Sequence, residues 1–207
     1  MPRVTGGSLE AHRRDARARA FDAFARLMYE RGYDAITLAD IAETAGMART
    51  SMYNYYPTKE ALLVDYTAAE MARFVDELRV ELYRTPDPVD RLRTFVRQQL
   101  EYLATHHLPP GPALRDVLSS DAFRSISEHA QALDDILHGI LIDGAATKAF
   151  PQTIVDDPAT VSLVLACITS GAARTDTESK GGGDAHGGPD ARIEATVQFV
   201  LRAVGAG

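Results

Sequence analysis

Two short segments joined by a glycine carry the residue types and spacing of two helices that cross at a tight turn. Thr37 followed by Asp40 is a capping-box pattern, which predicts a helix barely two turns long. Gly46 ends that helix, because glycine readily adopts the left-handed conformation of a tight turn. The next short helix can turn Met52 and Tyr56 inward and its polar side chains outward. This geometry is typical of a helix-turn-helix, whose second helix enters the major groove.

Spacing alone leaves a second interpretation open. Helical hairpins also occur in all-α proteins that bind other proteins, so the pattern equally fits a helical protein-interaction module without DNA binding. A salt-dependent affinity for an operator would distinguish the two functions, because neutralising phosphates releases counterions.

The sequence around this pair of helices resembles a known family. Residues 37–62 read TLADIAETAGMARTSMYNYYPTKEAL and are similar, almost position by position, to the TetR family of bacterial transcriptional regulators. The most distinctive part is MYNYYPTKE at 52–60, which in that family spans the end of the recognition helix and the start of the next helix. The match runs from Arg13 to Leu62, and the remainder agrees in length and helical pattern only.

The resemblance implies DNA contacts at eight positions. The residues that match base-edge readers, or lie close to the groove floor, are Ala48, Arg49, Thr50 and Asn54. An arginine can donate two hydrogen bonds to guanine, whereas an alanine offers only apolar contact to a thymine methyl. The residues that match phosphate contacts are Thr37, Tyr53, Tyr55 and Lys59. Thr37 and Lys59 each lie at the start of a helix, where free N–H groups favour anions.

Several of these side chains also have a purely structural interpretation. Tyr53 or Tyr55 fits a core aromatic with only its hydroxyl exposed, and Lys59 fits a solvated charge. The arginines within 13–19 fit either a solvated helix face or contacts to the DNA backbone. Tyr56 stands where phenylalanine is more usual in the family, so its extra hydroxyl needs a partner or solvent.

The apolar residues recur at spacings of three and four, which predicts an all-α fold. The resemblance implies a three-helix helix-turn-helix domain over residues 1–58, joined by a long helix to a larger ligand-binding and dimerisation domain over 59–207. The predicted helices run from 9 to 31, 38 to 45, 48 to 55, 59 to 84, 89 to 105, 112 to 119, 121 to 148, 158 to 174 and 190 to 204. A glycine-rich mobile loop is predicted over 176–190.

Charge and composition narrow the function further. The net charge is −7, which argues against indiscriminate nucleic-acid binding. Residues 1–60 nevertheless hold nine Lys and Arg against eight Asp and Glu, so DNA contact belongs at this end. Cys167 lies in an apolar run and reads as a core residue. The sequence lacks an apolar run long enough for a membrane span and a signal peptide, so we expect a cytoplasmic protein.

The resemblance implies that an effector and a second subunit bind the C-terminal region. The helix around 161–168 is apolar nearly all round and the last helix carries an apolar stripe, which predicts a homodimer through the last two long helices. Inward-facing positions that are candidates to line an effector pocket, with ordinary core packing as the alternative, are Phe95, Gln99, Tyr102, His106, Phe123, Ile126, His138 and Cys167.

No cofactor, metal site or enzymatic activity is predicted. Adjacent His106 and His107 would point about 100° apart on a helix, which does not suit a shared metal. The sequence contains no GxSxG elbow, no phosphate-binding GxxxxGK loop and no HExxH pair. The expected function is therefore a ligand-responsive repressor that binds a near-palindromic operator as a dimer and that a small-molecule effector releases.

Overall fold

The computed structural model describes residues 6–105, 118–157, 159–179 and 188–206, and these ranges are helical without β-strands, as the sequence predicts. The helices in chain order are α1 (Gly6–Arg31), α2 (Leu38–Thr44), α3 (Arg49–Tyr55), α4 (Lys59–Arg84), α5 (Pro88–Thr105), α6 (Ser120–Ala146), α7 (Thr153–Asp156), α8 (Ala159–Ser179) and α9 (Pro189–Ala203). Among the described helices, none is long and apolar enough to cross a bilayer.

The first three helices share one hydrophobic core with the start of α4. Phe24 of α1, Ile41 of α2 and Met52 of α3 are each 0% exposed in this cluster. The residues that α4 adds to it are Leu62, Leu63 and Tyr66. The predicted domain boundary after residue 58 coincides with the start of α4, but the first two turns of that helix pack with α1–α3.

The second half of α4 belongs to a separate, larger core. Phe74 and Leu78 of α4 pack with Phe95 of α5 and with Leu137 and Ile140 of α6 in one buried cluster. Because α4 contributes to both clusters, it bridges the two regions, as the sequence predicts.

Short polar side chains define the starts of several helices. The Thr58 hydroxyl accepts from the Ala61 N–H at 3.1 Å and begins α4. An Asp87 carboxylate oxygen accepts from two backbone N–H groups at 2.9 and 3.0 Å and begins α5. The Ser119 hydroxyl accepts from the Ala122 N–H at 3.3 Å and begins α6. These bonds satisfy N–H groups that have no partner inside their helix.

Helices α8 and α9 pack closely on each other and on α5. A Cβ at Gly171 of α8 would lie 3.0 Å from the Thr196 hydroxyl of α9, so the absence of a side chain permits this approach. Arg97 of α5 forms an ion pair with Glu194 of α9, and Arg93 approaches the same carboxylate at 3.5 Å. The inner faces of both helices join the larger core.

Some predicted boundaries are wrong. α8 continues to Ser179, so the segment 176–179 is helical rather than part of the predicted loop. No glycine or proline occurs between residues 172 and 180, and nothing in that stretch ends a helix. Residues 112–117 of the predicted 112–119 helix lie outside the described ranges, while Ser119 is the N-cap of α6. The short helix α7 was not predicted.

Candidate DNA-binding surface

The capping box that opens α2 forms in full. The Thr37 hydroxyl accepts from the Asp40 N–H at 3.2 Å, and the Thr37 N–H donates to the Asp40 carboxylate at 2.8 Å. The Thr37 hydroxyl also donates to the Asp40 carboxylate at 2.7 Å, and this bond together with that from the Thr37 N–H holds the pKa of the Asp40 carboxyl below its usual range. Thr37 is therefore held in place at an exposed helix N-terminus, beside free backbone N–H groups.

The turn between α2 and α3 has the geometry that the glycine predicts. Gly46 has φ +62°, a conformation that L side chains rarely adopt. The Met47 N–H donates to the Ala42 carbonyl at 2.9 Å across this turn. Ala42 is 0% exposed, and this small side chain lets α3 cross α2 closely.

Helix α3 divides into a buried face and an exposed face. Met52 is 0% exposed and Tyr56, its C-cap residue, is 7% exposed. Tyr53 and Tyr55 are 51% and 39% exposed, so the alternative that they are core aromatics is wrong. The predicted DNA contacts that lie on the exposed side of this segment are Ala48, Arg49, Thr50, Tyr53, Asn54 and Tyr55.

Lys59 makes contacts that the sequence did not reveal. Its ammonium Nζ donates to the carbonyls of Tyr33 and Ile36 at 2.7 and 2.8 Å, and it lies 4.1 Å from the centre of the Tyr33 ring. Partial burial lowers the pKa of this lysine. The alternative of a merely solvated charge is wrong. Two of the three ammonium donors hold the connection between α1 and α2, which leaves one for a further acceptor.

The arginines at the start of α1 are not equivalent. Arg13, Arg14 and Arg19 are exposed. Arg17 instead pairs with Asp65 of α4, through Nε at 2.9 Å and Nη2 at 2.7 Å. The hydroxyl of Tyr56 donates to the same carboxylate at 2.7 Å. The sequence predicts that the Tyr56 hydroxyl needs a partner or solvent. That partner is Asp65, which was not identified from the sequence.

The candidate pocket residues do not form one group. Phe95, Gln99 and Tyr102 lie buried on α5, and Tyr102 stacks on Phe74 of α4 with 4.4 Å between the ring centres. Phe123 packs against the N-terminal core instead. His138 is exposed, so its predicted inward orientation is wrong. Cys167 lies on α8, while His106 and the side chain of Ile126 fall outside the described part.

Thr67 of α4 is a buried polar residue that sequence reasoning missed. It is 2% exposed, and its hydroxyl has no hydrogen-bond partner among the described residues. The Oε1 atom of Gln99, in a side chain 9% exposed, also has none there. The signal was available, because Thr67 falls four residues after Leu63 and seven before Phe74 on the inward stripe of α4.

An apolar groove of about 460 Å³ lies between α8 and α9 on the outer side of the larger core. Leu163 and Phe199 on this face are 60% and 59% exposed, although large apolar side chains are usually covered. Cys167 lines the same groove and, half-buried, also packs against the larger core that contains Phe95. Within the described residues, His, Cys, Asp and Glu side chains form no group of three or more that could hold a metal.

Comparison with known proteins gives matches to bacterial transcriptional regulators. Residues 21–66 match the family model of bacterial regulatory proteins, tetR family. The fatty acid metabolism regulator protein of Bacillus subtilis is 24% identical over 149 residues, which is 71% of this chain and 74% of that protein. The transcriptional repressor KstR of Rhodococcus jostii is 26% identical over 157 residues, or 76% of this chain and 68% of KstR.

The fold is also similar to solved structures. The transcriptional regulator FadR from Bacillus subtilis, in complex with stearoyl-CoA, superposes with a TM-score of 0.70. The alignment covers 91% of this chain and 98% of FadR at 18% sequence identity. At this identity the likeness establishes the fold alone.

Proposed function

Since this chain belongs to the TetR family of bacterial transcriptional regulators, we propose that it represses transcription by binding a near-palindromic operator as a homodimer, and that a small-molecule effector releases it. The observation that carries the proposal is the exposed face of α3. Polar side chains project outward there, while Met52 and Tyr56 anchor the helix in a core shared with α1, α2 and α4.

Base recognition rests on four residues of this face. The guanidinium of Arg49 donates to a guanine and Asn54 to an adenine edge, since these are the pairings that the major groove favours. Thr50 adds a hydroxyl, and Ala48 permits close approach to the groove floor. All four are exposed.

Phosphate contacts flank the base readers. The exposure of Tyr53, Tyr55 and Thr37 supports contacts from the two tyrosine hydroxyls and from the start of α2 to DNA phosphates. Lys59 uses its remaining donor for a phosphate, while its other two N–H groups hold the α1–α2 connection.

Dimerisation uses the outer face of α8 and α9. Leu163 and Phe199 expose apolar surface that a second subunit would bury through the same face, as two-fold symmetry requires. Such a dimer presents two copies of α3, and spacing of about 34–36 Å would let them enter successive major grooves.

The effector binds beside α4 and α5 in the larger core. The Thr67 hydroxyl and the Gln99 carbonyl are buried without hydrogen bonds from the described residues, which costs about 1–3 kcal/mol for each such group. A ligand that donates a hydrogen bond would recover this cost. Phe74 lies two turns after Thr67 on α4, Phe95 and Tyr102 lie one turn before and after Gln99 on α5, and all three aromatic residues belong to the larger apolar core.

These features favour an effector that is mostly apolar and carries a hydrogen-bonding group. The acyl chain of the stearoyl-CoA bound to the Bacillus subtilis FadR supplies one example of an apolar ligand portion on a similar fold. A groove of about 570 Å³ between α4 and α5, partly lined by Glu77, Glu81 and Glu101, meets the apolar cluster at Phe74 and Tyr102. Three carboxylates line this groove against one guanidinium, that of Arg84, so it disfavours a phosphorylated head group and we expect the uncharged or carboxamide end of an effector at this position.

The test is selection of bound fragments from randomised duplex DNA, followed by titration of the selected site at several salt concentrations. A near-palindrome bound by dimers, with affinity falling as salt rises, is the expected result. Absence of enrichment at low salt, without added ligand, would favour the helical interaction module instead.

A further inference from the structure

We call α1, α2, α3 and the first two turns of α4 the reading head. One carboxylate on α4 joins three helices of this region. Asp65 accepts from Arg17 of α1 through two parallel hydrogen bonds, and its Oδ2 also accepts from the hydroxyl of Tyr56 at the end of α3. We call these three side chains the Asp65 clamp. A two-point guanidinium–carboxylate contact fixes direction as well as distance.

The tyrosine end of the clamp holds the recognition helix directly. Tyr56 is the C-cap of α3, and its N–H donates to the Met52 carbonyl at 2.8 Å. Its ring is buried and only its hydroxyl reaches the carboxylate. Any displacement of Asp65 therefore acts on the last turn of α3, next to Asn54 and Tyr55.

The arginine end is itself braced on α1. The Arg17 guanidinium lies 4.7 Å from the centre of the Phe21 ring, and Phe21 packs edge-on against Tyr66, the residue after Asp65. The clamp borders a groove of about 640 Å³ between α1 and α3 that Arg13, Asn54 and Tyr55 also line. It thus lies directly beneath side chains proposed to face DNA.

Stability alone does not account for this arrangement. The side chains of Arg17 and Asp65 are 46% and 36% exposed, and ion pairs this accessible contribute little to folding. Their geometry, in contrast, restrains α1, α3 and α4 relative to one another.

We propose that Asp65 is a positioning residue for operator recognition, because its carboxylate holds the C-terminal end of α3 and the middle of α1 in one orientation on α4. This inference rests on the proposed DNA-binding function. It adds a residue that touches no DNA and yet determines how well the base readers fit the groove.

The experiment uses the full-length protein and the duplex that the wild type selects from random DNA, with a scrambled duplex of equal length as the non-specific probe. The variants are Tyr56→Phe, which removes one hydroxyl, Asp65→Asn, and the double variant. Matched controls are Tyr83→Phe and Asp76→Asn, at exposed positions farther along α4. Circular dichroism establishes that every variant is folded at the temperature of the titration.

Each clamp variant should bind the selected duplex about three- to tenfold more weakly, while both controls bind as the wild type does. The double variant should be no weaker than Asp65→Asn alone to within about twofold, since the Tyr56 hydroxyl is proposed to act through the charged carboxylate that Asp65→Asn already removes. Binding of the scrambled duplex should change less, because non-specific contacts tolerate misorientation of α3.

Folded variants that bind the selected duplex with wild-type affinity would overturn the proposal, as would strictly additive losses. If Asp65→Asn does not fold, Tyr56→Phe alone decides, because it deletes a single atom from a side chain whose ring stays buried. Failure of the wild type to select any duplex would instead overturn the proposed function, and the clamp inference with it.

Discussion

The ammonium of Lys59 lies 4.1 Å from the centre of the Tyr33 ring and donates to the main-chain carbonyl of Tyr33 at 2.7 Å. A second hydrogen bond reaches the Ile36 carbonyl at 2.8 Å. The first residue of α4 therefore fixes the connection that leads into α2. One side chain thereby serves the fold of the reading head and lies beside its DNA-facing surface.

Replacing Lys59 separates these two roles. Lys59→Met should lower the free energy of unfolding by about 1.5–3 kcal/mol, because two carbonyls lose a charged donor. The slope of log affinity against log salt should also flatten by about 0.9, the share of one phosphate contact. Urea unfolding and salt titrations measure the two effects separately. A loss of stability with an unchanged salt slope would restrict Lys59 to holding the connection.

Arg49 should determine sequence choice rather than general affinity. Arg49→Ala should reduce discrimination at one base pair of the operator by about 1–3 kcal/mol, because a bidentate contact to guanine is lost. Titration of duplexes that differ at single positions measures this, with the exposed Arg79→Ala on α4 as the control. Equal discrimination by the mutant and the wild type would refute the assigned role.

The local signals of the reading head made most of its structure predictable. The helix caps and the turn depend on hydrogen bonds and backbone conformations within a few residues. The sequence therefore correctly indicates the start of α2 at Thr37 and Asp40, the turn at Gly46 and the start of α4 at Thr58. The exposed and buried faces of α3 follow from the helical period. The partners of Lys59 and Tyr56 were not predictable, because they depend on how helices distant in sequence cross.

The effector region was less predictable for a related reason. Phe95, Gln99 and Tyr102 share one face of α5 and were found together, since one helix determines their spacing. Phe123, His138 and Cys167 lie on other helices, and helix rotation in the fold sends them to three different environments. Periodicity identifies an apolar face without identifying the helix against which it packs.

The face of α8 and α9 should be required for dimerisation. Leu163→Glu places a charge on a surface that we propose to be buried between subunits, and the cost of desolvating it should yield monomers. Sedimentation velocity measures the mass, and Tyr83→Glu at a 92% exposed site is the matched control. The monomer should lose operator affinity because it presents only one recognition helix. A dimer of unchanged mass would exclude this face.

Replacing Gln99 should stabilise the protein and abolish effector binding. Gln99→Leu removes a buried carbonyl that lacks a hydrogen bond among the described residues, so the free energy of unfolding should rise by about 1 kcal/mol. The same change should abolish the thermal shift that the wild type shows with its effector, for which the uncharged stearamide is the first probe. Gln131→Leu, at an exposed position on α6, should reproduce neither effect. A destabilised Gln99→Leu variant would mean that the carbonyl is already paired in solution.

The ionised Asp65 carboxylate should leave a signature in the pH dependence of stability. Hydrogen bonds from Arg17, followed by that from Tyr56, lower the pKa of Asp65 in the folded protein. A lowered folded pKa favours the folded state at pH above the ordinary aspartate value of about 3.9, and this stabilisation disappears as pH falls through the folded value.

The free energy of unfolding of the wild type should therefore exceed that of Asp65→Asn at pH 7 by less than about 1 kcal/mol, since the pair is partly exposed. Urea unfolding at fixed protein concentration, at pH 7, 5 and 3, should show this difference shrinking only at the acid end. Other acidic groups titrate equally in both proteins, so a difference that is constant across the series would show that the charge of Asp65 is not what stabilises the clamp.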